Sequence, residues 1–167
     1  VRTLVHNMGI DSSARYPNGR YRVPKVPSIC LGSTDLTVME MTGAYTTFAN
    51  NGIYNKPVFI SRIEDRNGRL VYESLNEERQ ALNPVANHAM VKMLDFALNE
   101  NNPDFRGLKS EMGGKTGTTN DYRDAWFIGF SPRVTVGVWV GRDLKAPIAK
   151  KMTGAMAAQP IWNNFMS

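Results

Sequence analysis

The sequence predicts an α+β fold in which an antiparallel β-sheet is flanked by helices. Two stretches with the apolar periodicity of amphipathic helices lie in the first 100 residues. Three short stretches of strand-forming residues follow at about 113–119, 124–130 and 134–140, close enough to be joined by tight turns. A last apolar stretch over about 155–166 has helical spacing. Helices that precede a run of consecutive strands are typical of the α+β class.

The first 35 residues are predicted to be irregular. Pro24 and Pro27 oppose helix formation because proline lacks the amide proton that a helix interior requires. The segment 17–19, Pro-Asn-Gly, favours a turn.

The first predicted helix is capped by Thr34 or Asp35, whose side-chain oxygens can accept hydrogen bonds from its amino-terminal amides. Asn51-Gly52 favours the left-handed conformation that ends helices. The face predicted to be buried consists of Val38, Met41, Tyr45, Phe48 and Ala49.

A β-hairpin and a second helix are predicted next. Residues 58–64 and 69–73 alternate as strands around a turn that contains Asn67-Gly68, a strong hairpin signal. The second helix begins at Pro84 and is capped by Asn83. Its buried stripe is predicted to be Ala86, Ala89, Met90, Met93, Leu94 and Ala97. A polar loop is predicted over 99–112.

The last of the three consecutive strands is predicted to be central in the sheet or covered on both sides, because both of its faces are largely apolar. The closing helix over about 155–166 begins or kinks at Pro160. Its residues expected to dock on the sheet are Ile161, Trp162, Phe165 and Met166.

The composition is that of a soluble globular protein, with 42% hydrophobic and 21% charged residues in 167. The net charge is +5, but the basic residues are scattered, so a solvated basic surface explains them better than nucleic-acid binding. We expect no nucleic-acid partner. A basic face toward anionic envelope polymers is the remaining alternative. The densest basic groups are Arg20/Arg22/Lys25 and Lys145/Lys150/Lys151.

No cofactor or metal site is indicated by the sequence. The single cysteine, Cys30, has apolar neighbours and is expected to be a small buried side chain rather than a nucleophile. No Cys/His set has zinc-ligand spacing, and His6 and His88 belong to no motif.

The most informative motif is Lys115-Thr116-Gly117-Thr118, preceded by two glycines and followed by a second threonine. On a strand at a sheet edge, such a motif offers a cation and two hydroxyls to a peptide carboxylate. Gly117 lets a ligand backbone approach closely, and the Thr118 amide can donate to an oxyanion. Lys115 and Gly117 share one face of the strand because strand side chains alternate.

A phosphate-binding loop is the main rival interpretation of Gly-Lys-Thr. That motif requires a glycine five residues before Gly114, where this chain has Lys109, and it requires a helix to begin at the lysine. Neither condition is met, so the sequence does not predict a nucleotide site.

The motif and its context resemble the transpeptidase domain of class A penicillin-binding proteins, the bifunctional enzymes that polymerise and cross-link peptidoglycan. Gly-Lys-Thr-Gly-Thr-Thr-Asn followed by Asp-Ala-Trp-Phe-Ile-Gly-Phe carries the resemblance, which extends over nearly the whole chain. The similar segments are 31–33, 37–41, 44–52, 115–132, 137–141, 154–162 and 165–166.

The resemblance implies serine acyl transfer from a D-alanyl-D-alanine stem peptide, with β-lactams as mimics of that donor. It assigns Lys115 to the substrate carboxylate and to proton transfer, Thr116 and Thr118 to hydrogen bonds with that carboxylate, and the Thr118 amide to the oxyanion hole. Gly117 keeps the strand clear. It also implies the extracytoplasmic face of the cytoplasmic membrane, with anchoring only through an amino-terminal segment that is not among these residues.

The chain departs from the family pattern by lacking the nucleophile motif. No serine begins Ser-x-x-Lys, the closest being Ser12 before Arg15. One tripeptide, Ser74-Leu75-Asn76, has the Ser-x-Asn pattern, but no Ser-x-x-Lys motif accompanies it in these residues. Residues 1–167 therefore resemble the carboxy-terminal portion of the domain, and we expect the isolated chain to be inactive. Its incomplete sheet could allow self-association. The alternative is a non-catalytic module of the same fold that binds peptidoglycan or protein partners.

Two further expectations concern the rim of the site. Residues 99–105 replace a Gly-Thr-rich stretch found in many relatives, so the loop there is expected to differ in shape. Tyr122, Arg123, Asp124 and Trp126 could rim the site; we expect Asp124 to pair locally and Trp126 to pack under the sheet.

Overall fold

The computed structural model describes residues 1–100, 111–144 and 146–167. Most of the predicted polar loop at 99–112 lies outside the described residues, as does most of the 99–105 segment. The helices are α1 (Arg2–Asn7), α2 (Val38–Ala49), α3 (Pro84–Glu100), α4 (Gly154–Ala157) and α5 (Gln159–Met166). The strands are β1 (Ile53–Asn55), β2 (Arg62–Glu64), β3 (Leu70–Glu73), β4 (Glu78–Gln80), β5 (Gly113–Thr118), β6 (Ala125–Phe130) and β7 (Thr135–Val140).

The main sheet is antiparallel with the order β5-β6-β7, which confirms the three predicted strands. Within the described residues β5 and β7 are its edges. Helix α2 covers one face of β7, where a Cβ at Gly137 would press against Thr42 and lie 3.4 Å from Val38 Cγ1. Val136 and Val138 pack on the other face, against the buried cluster formed by Leu98, Phe127, Ala158 and Trp162. The prediction that β7 is covered on both sides is therefore confirmed, although β7 is not central.

Helix α5 docks on the sheet through Trp162, which is fully buried with its ring centroid 5.0 Å from that of Phe127. Docking by Ile161 and Phe165 was a wrong prediction, because both side chains are more than half exposed. The predicted closing helix is divided into α4 and α5 at Ala158. Pro160 lies in the first turn of α5, where its missing amide proton removes no helical hydrogen bond.

The first 35 residues are less irregular than predicted. They contain α1 and a 3-10 turn at Pro27–Leu31, which Pro27 begins and Gly32 ends with φ 84°. Met8 and Val23 are buried together, so this segment is ordered by packing on the core rather than by local helix propensity.

Helix α2 begins at a different cap from the one predicted. Thr37, not Thr34 or Asp35, is the N-cap: its hydroxyl accepts from the Glu40 amide at 3.1 Å while Glu40 Oε2 accepts from the Thr37 amide at 2.9 Å. This reciprocal pair of hydrogen bonds is a capping box, which forms when Ser or Thr at the N-cap is followed three residues later by Glu or Gln. The signal was present in the sequence as Thr-x-x-Glu.

The predicted buried stripe of α3 is wrong except for Leu94. The buried residues are Asn87, Val91, Leu94 and Leu98. Met93 is 58% exposed, whereas Asn87 is buried and donates its amide proton to the Phe48 carbonyl at 3.1 Å. A scan for apolar periodicity misses a buried amide, but Val91, Leu94 and Leu98 do have helical spacing, and the predicted stripe followed alanines and methionines in their place. The predicted Asn83 cap is confirmed by its Oδ1, which accepts from the Val85 amide at 2.9 Å.

The predicted hairpin is confirmed as β2–β3, but its first strand begins at Arg62 rather than at residue 58. The short pair β1–β4 brackets this hairpin and was not predicted. Its strands have three residues each, too short for an alternating pattern to be recognised.

Candidate functional site

The candidate motif lies on β5, which is an edge strand of the main sheet within the described residues. The Thr119 amide donates to the Asp124 carbonyl at 3.1 Å, and these two residues continue the β5–β6 register beyond the Thr118–Ala125 pair. Backbone groups alternate in an antiparallel ladder between facing the partner strand and facing away from it. The amides of Thr116 and Thr118 therefore face away from β6, toward the open edge.

The side chains of the motif divide between the two faces of β5. Lys115 pairs with Ile128, which in turn pairs with Gly137, so Lys115 shares the face that α2 covers at β7. Thr116 and Thr118 project to the opposite face. The Lys115 ammonium group bends back over the strand edge, donates to the Thr116 carbonyl at 3.1 Å and lies 3.4 Å from Thr116 Oγ1.

The charge of Lys115 is not neutralised within residues 1–100, 111–144 and 146–167, where it forms no ion pair. Its side chain is exposed, and the Thr116 hydroxyl beside it can turn to donate to an anion. A cation, a hydroxyl and an outward amide on one strand edge suit a carboxylate that lies along the strand.

The Thr118 hydroxyl accepts a hydrogen bond from the Gly154 amide at 3.0 Å. This bond joins the end of β5 to the start of α4, across 36 positions of sequence. The prediction of site residues from the motif did not include Gly154. No local pattern indicates this contact, because it depends on how α4 docks.

The turn after the motif is closed by Asp124. Its Oδ2 accepts from the Thr119 hydroxyl at 2.9 Å, and its Oδ1 accepts from Trp139 Nε1 at 2.9 Å. This is the local pairing predicted for Asp124. Trp126 lies beside Trp139 with ring centroids 6.5 Å apart and is only half-buried.

A largely apolar groove of about 540 Å³ adjoins the motif. It lies between the α1–α2 region and the face of β5–β6 that carries Lys115, and Trp126 and Ile128 line its sheet side. On its other side it is lined by Met8, Val23, Met41 and Tyr45. The candidate cation thus lies at the boundary between an apolar groove and the open strand edge.

Cys30 is exposed, so the prediction that it is buried was wrong. It follows Ile29 in the 3-10 turn, and Ile29 is the residue that packs on the core. The described residues contain no cluster of three or more His, Cys, Asp or Glu side chains that could hold a metal ion. Among the same residues, no helix is both long and apolar enough to cross a membrane.

Comparison with known proteins identifies the family. A sequence profile for the penicillin binding protein transpeptidase domain matches residues 18–167. The chain belongs to this family. It is 40% identical to penicillin-binding protein 1A of Aquifex aeolicus over 140 residues, covering 83% of this chain and 19% of that protein. It is 33% identical to penicillin-binding protein 1A of Rickettsia felis over 167 residues, covering 86% of this chain and 21% of that protein. These relatives confirm the resemblance to class A penicillin-binding proteins.

The fold of this transpeptidase-family chain recurs in solved structures. The penicillin-binding protein PonA1 of Mycobacterium tuberculosis superposes with a TM-score of 0.84 at 24% identity, over 97% of this chain and 46% of that one. Penicillin-Binding Protein 1A from Haemophilus influenzae superposes with a TM-score of 0.79 at 20% identity, over 97% of this chain and 29% of that one. The chain spans about a fifth of the length of the curated relatives it matches.

Proposed function

We propose that this chain supplies the carboxylate-binding and oxyanion-binding half of a serine D,D-transpeptidase that cross-links peptidoglycan. The observation that carries the proposal is the edge position of β5, with the Thr118 amide facing away from β6. A substrate peptide can lie against such an edge as an added strand. Membership of the transpeptidase family supports the same reaction.

Each motif residue has a role in this proposal. Lys115 attracts the terminal carboxylate of a D-alanyl-D-alanine stem peptide and supports proton transfer, and Thr116 and Thr118 donate hydrogen bonds to that carboxylate. The Thr118 amide stabilises the oxyanion that forms when a serine attacks the penultimate carbonyl. The terminal D-alanine leaves, and an amine of a neighbouring stem peptide then takes the acyl group.

The serine and its base lie in sequence outside these residues in this proposal. The apolar groove beside Lys115 is a surface against which such a segment would pack, since exposed apolar patches of this kind are uncommon in complete domains. Residues 1–167 are then the carboxy-terminal portion of the domain. The parent protein acts at the extracytoplasmic face of the membrane, where its substrate is.

β-Lactams are proposed as covalent inhibitors of the parent protein. Structures of similar fold include an imipenem acyl-enzyme complex of penicillin-binding protein A and a penicillin V complex of PonA1, both from M. tuberculosis. A β-lactam carboxylate would bind Lys115, Thr116 and Thr118 in place of the substrate carboxylate.

The test is the intact mass of the full-length protein after incubation with benzylpenicillin, followed by mapping of the modified peptide. We expect one adduct, on a serine outside residues 1–167, and no adduct on the isolated chain. A folded full-length protein without an adduct would instead favour the non-catalytic module. An adduct on a serine of the isolated chain would contradict the assignment of the nucleophile.

A further inference from the structure

We propose that Gly154 is a positioning residue for carboxylate recognition, acting through the Thr118 hydroxyl. Its backbone amide holds that hydroxyl as an acceptor, so that the hydroxyl proton is directed to the ligand carboxylate. The inference rests on the proposed function of Lys115–Thr118 and adds to it a residue from outside the motif.

The hydrogen bond from Gly154 leaves the Thr118 hydroxyl proton available for donation to a ligand. The Gly154 amide donates to Thr118 Oγ1 at 3.0 Å. A hydroxyl has one proton and two acceptor sites, so this bond uses acceptor capacity and leaves the proton to be donated. Accepting one hydrogen bond also polarises the hydroxyl and strengthens the bond that it donates. Within the described parts of the chain, no group accepts the Thr118 hydroxyl proton.

The close approach of α4 to β5 requires glycine at position 154. A Cβ there would collide with the Trp126 carbonyl oxygen and would lie 2.5 Å from the Gly117 carbonyl oxygen. Both are backbone atoms of the sheet, which cannot rotate away as a side chain end could. The backbone at Gly154 does not have a positive φ, so alanine could adopt this conformation without strain. The steric collision alone opposes the substitution.

The two threonine hydroxyls are therefore held by different groups. Thr116 Oγ1 lies 3.4 Å from the Lys115 ammonium group, whereas Thr118 Oγ1 is held by α4. Replacing Gly154 should move α4 away from β5 and weaken only the second of these. The predicted defect is a loss of carboxylate recognition through Thr118.

A double-mutant cycle in the full-length protein tests this coupling. The variants are Gly154→Ala, Thr118→Val and the two combined, and the measurement is the second-order rate constant of acylation by benzylpenicillin. We expect Gly154→Ala and Thr118→Val each to lower the rate about tenfold, as for the loss of one hydrogen bond to a charged group. The combined variant should be no slower than Thr118→Val, because both changes remove the same hydrogen bond.

Gly129→Ala is the matched steric control. A Cβ at Gly129 would lie 2.6 Å from the Trp162 ring, so this variant also strains the same sheet, on β6. We expect Gly129→Ala to lower the melting temperature. Its effect on the acylation rate should be independent of that of Thr118→Val, so that the two effects add. Additive effects of Gly154→Ala and Thr118→Val would overturn the inference. So would an acylation rate of Gly154→Ala equal to that of the wild type.

A second measurement applies if Gly154→Ala fails to fold. In the wild-type protein labelled with ¹⁵N-glycine, the Gly154 amide resonance should shift on acylation by benzylpenicillin, and this shift should be absent in Thr118→Val. An unshifted resonance in acylated wild type overturns the inference but leaves the proposed function intact. A wild-type protein that forms no acyl adduct overturns the proposed function itself, and with it this inference.

Discussion

Trp139 donates a hydrogen bond from its indole Nε1 to Asp124 Oδ1 at 2.9 Å, which ties the end of β7 to the turn that follows the Lys115–Thr118 strand. The other carboxylate oxygen of Asp124 accepts from the Thr119 hydroxyl at 2.9 Å. Both oxygens are thus used within the sheet. Asp124 therefore acts as a clamp on the turn between β5 and β6.

Replacing Asp124 by alanine should destabilise the domain by about 1–3 kcal/mol, because two side-chain hydrogen bonds to a charged group are lost together. Trp139→Phe removes only one of them and should have about half that effect. The measurement is the free energy of unfolding in urea. The control is Asp143→Ala, which removes an exposed carboxylate in the loop after β7. It should change the free energy of unfolding by less than about 0.5 kcal/mol. Equal effects of the Asp124 and Asp143 substitutions would contradict the clamp.

Replacing Lys115 by methionine should reduce acylation of the full-length protein by benzylpenicillin about 10- to 100-fold. The ammonium group is exposed and forms no ion pair in the described residues, so its charge is available to the β-lactam carboxylate. The melting temperature should remain unchanged. Lys150→Met removes an equal charge from an exposed loop position and should leave acylation unaffected. Acylation of Lys115→Met at the wild-type rate would show that the Lys115 ammonium group does not bind the β-lactam carboxylate.

Much of the candidate site could be predicted because its residues are contiguous. The alternation of a strand fixes which side chains of 115–118 share a face. The edge position of β5 within the described residues follows instead from the observed strand order β5-β6-β7. Gly154 could not be predicted in the same way. Its contact with Thr118 spans 36 positions and arises from the docking of α4, which leaves no periodic signal in the sequence.

The errors in the fold have a similar physical origin. Periodicity identified α3, but the predicted face included Met93, which is exposed, and omitted Asn87, which is buried and hydrogen-bonded to the Phe48 carbonyl. Propensity gave no signal for α1, which is ordered by packing on the core. Tertiary contacts determine which face of α3 is buried and whether α1 forms, and a single sequence does not record those contacts directly.

The capping box of α2 gives a paired test. Thr37→Ala should destabilise the domain by about 1 kcal/mol, because the Glu40 amide loses its acceptor. Thr34→Ala is the control, at one of the two positions that the sequence predicts for the cap. Within the described residues, Thr34 Oγ1 is buried without a hydrogen-bond partner, so its removal should be neutral or slightly stabilising. The measurement is the stability of both variants by thermal unfolding. A larger loss of stability for Thr34→Ala than for Thr37→Ala would contradict the assignment of Thr37 as the cap.

Glu40 should make stability depend on pH at the acid end. Burial alone raises the pKa of Glu40, but hydrogen bonds from Arg22 at 3.0 Å and from Thr37 outweigh it and hold the pKa below its ordinary value of 4.5. The folded state therefore binds this proton less readily than the unfolded state. The stabilisation is present above the unfolded pKa and is lost as the pH falls through the lower folded pKa.

The measurement is the free energy of unfolding as a function of pH, from about pH 6 down to about pH 3. We expect Glu40→Gln to be less stable than the wild type at the upper end of this range and to approach it at the lower end, where the carboxylate of the wild type is protonated. Arg22→Gln should reduce the difference, since it removes the main hydrogen bond that lowers the pKa of Glu40. Parallel curves for the wild type and Glu40→Gln would show that Arg22 and Thr37 do not stabilise the charged form.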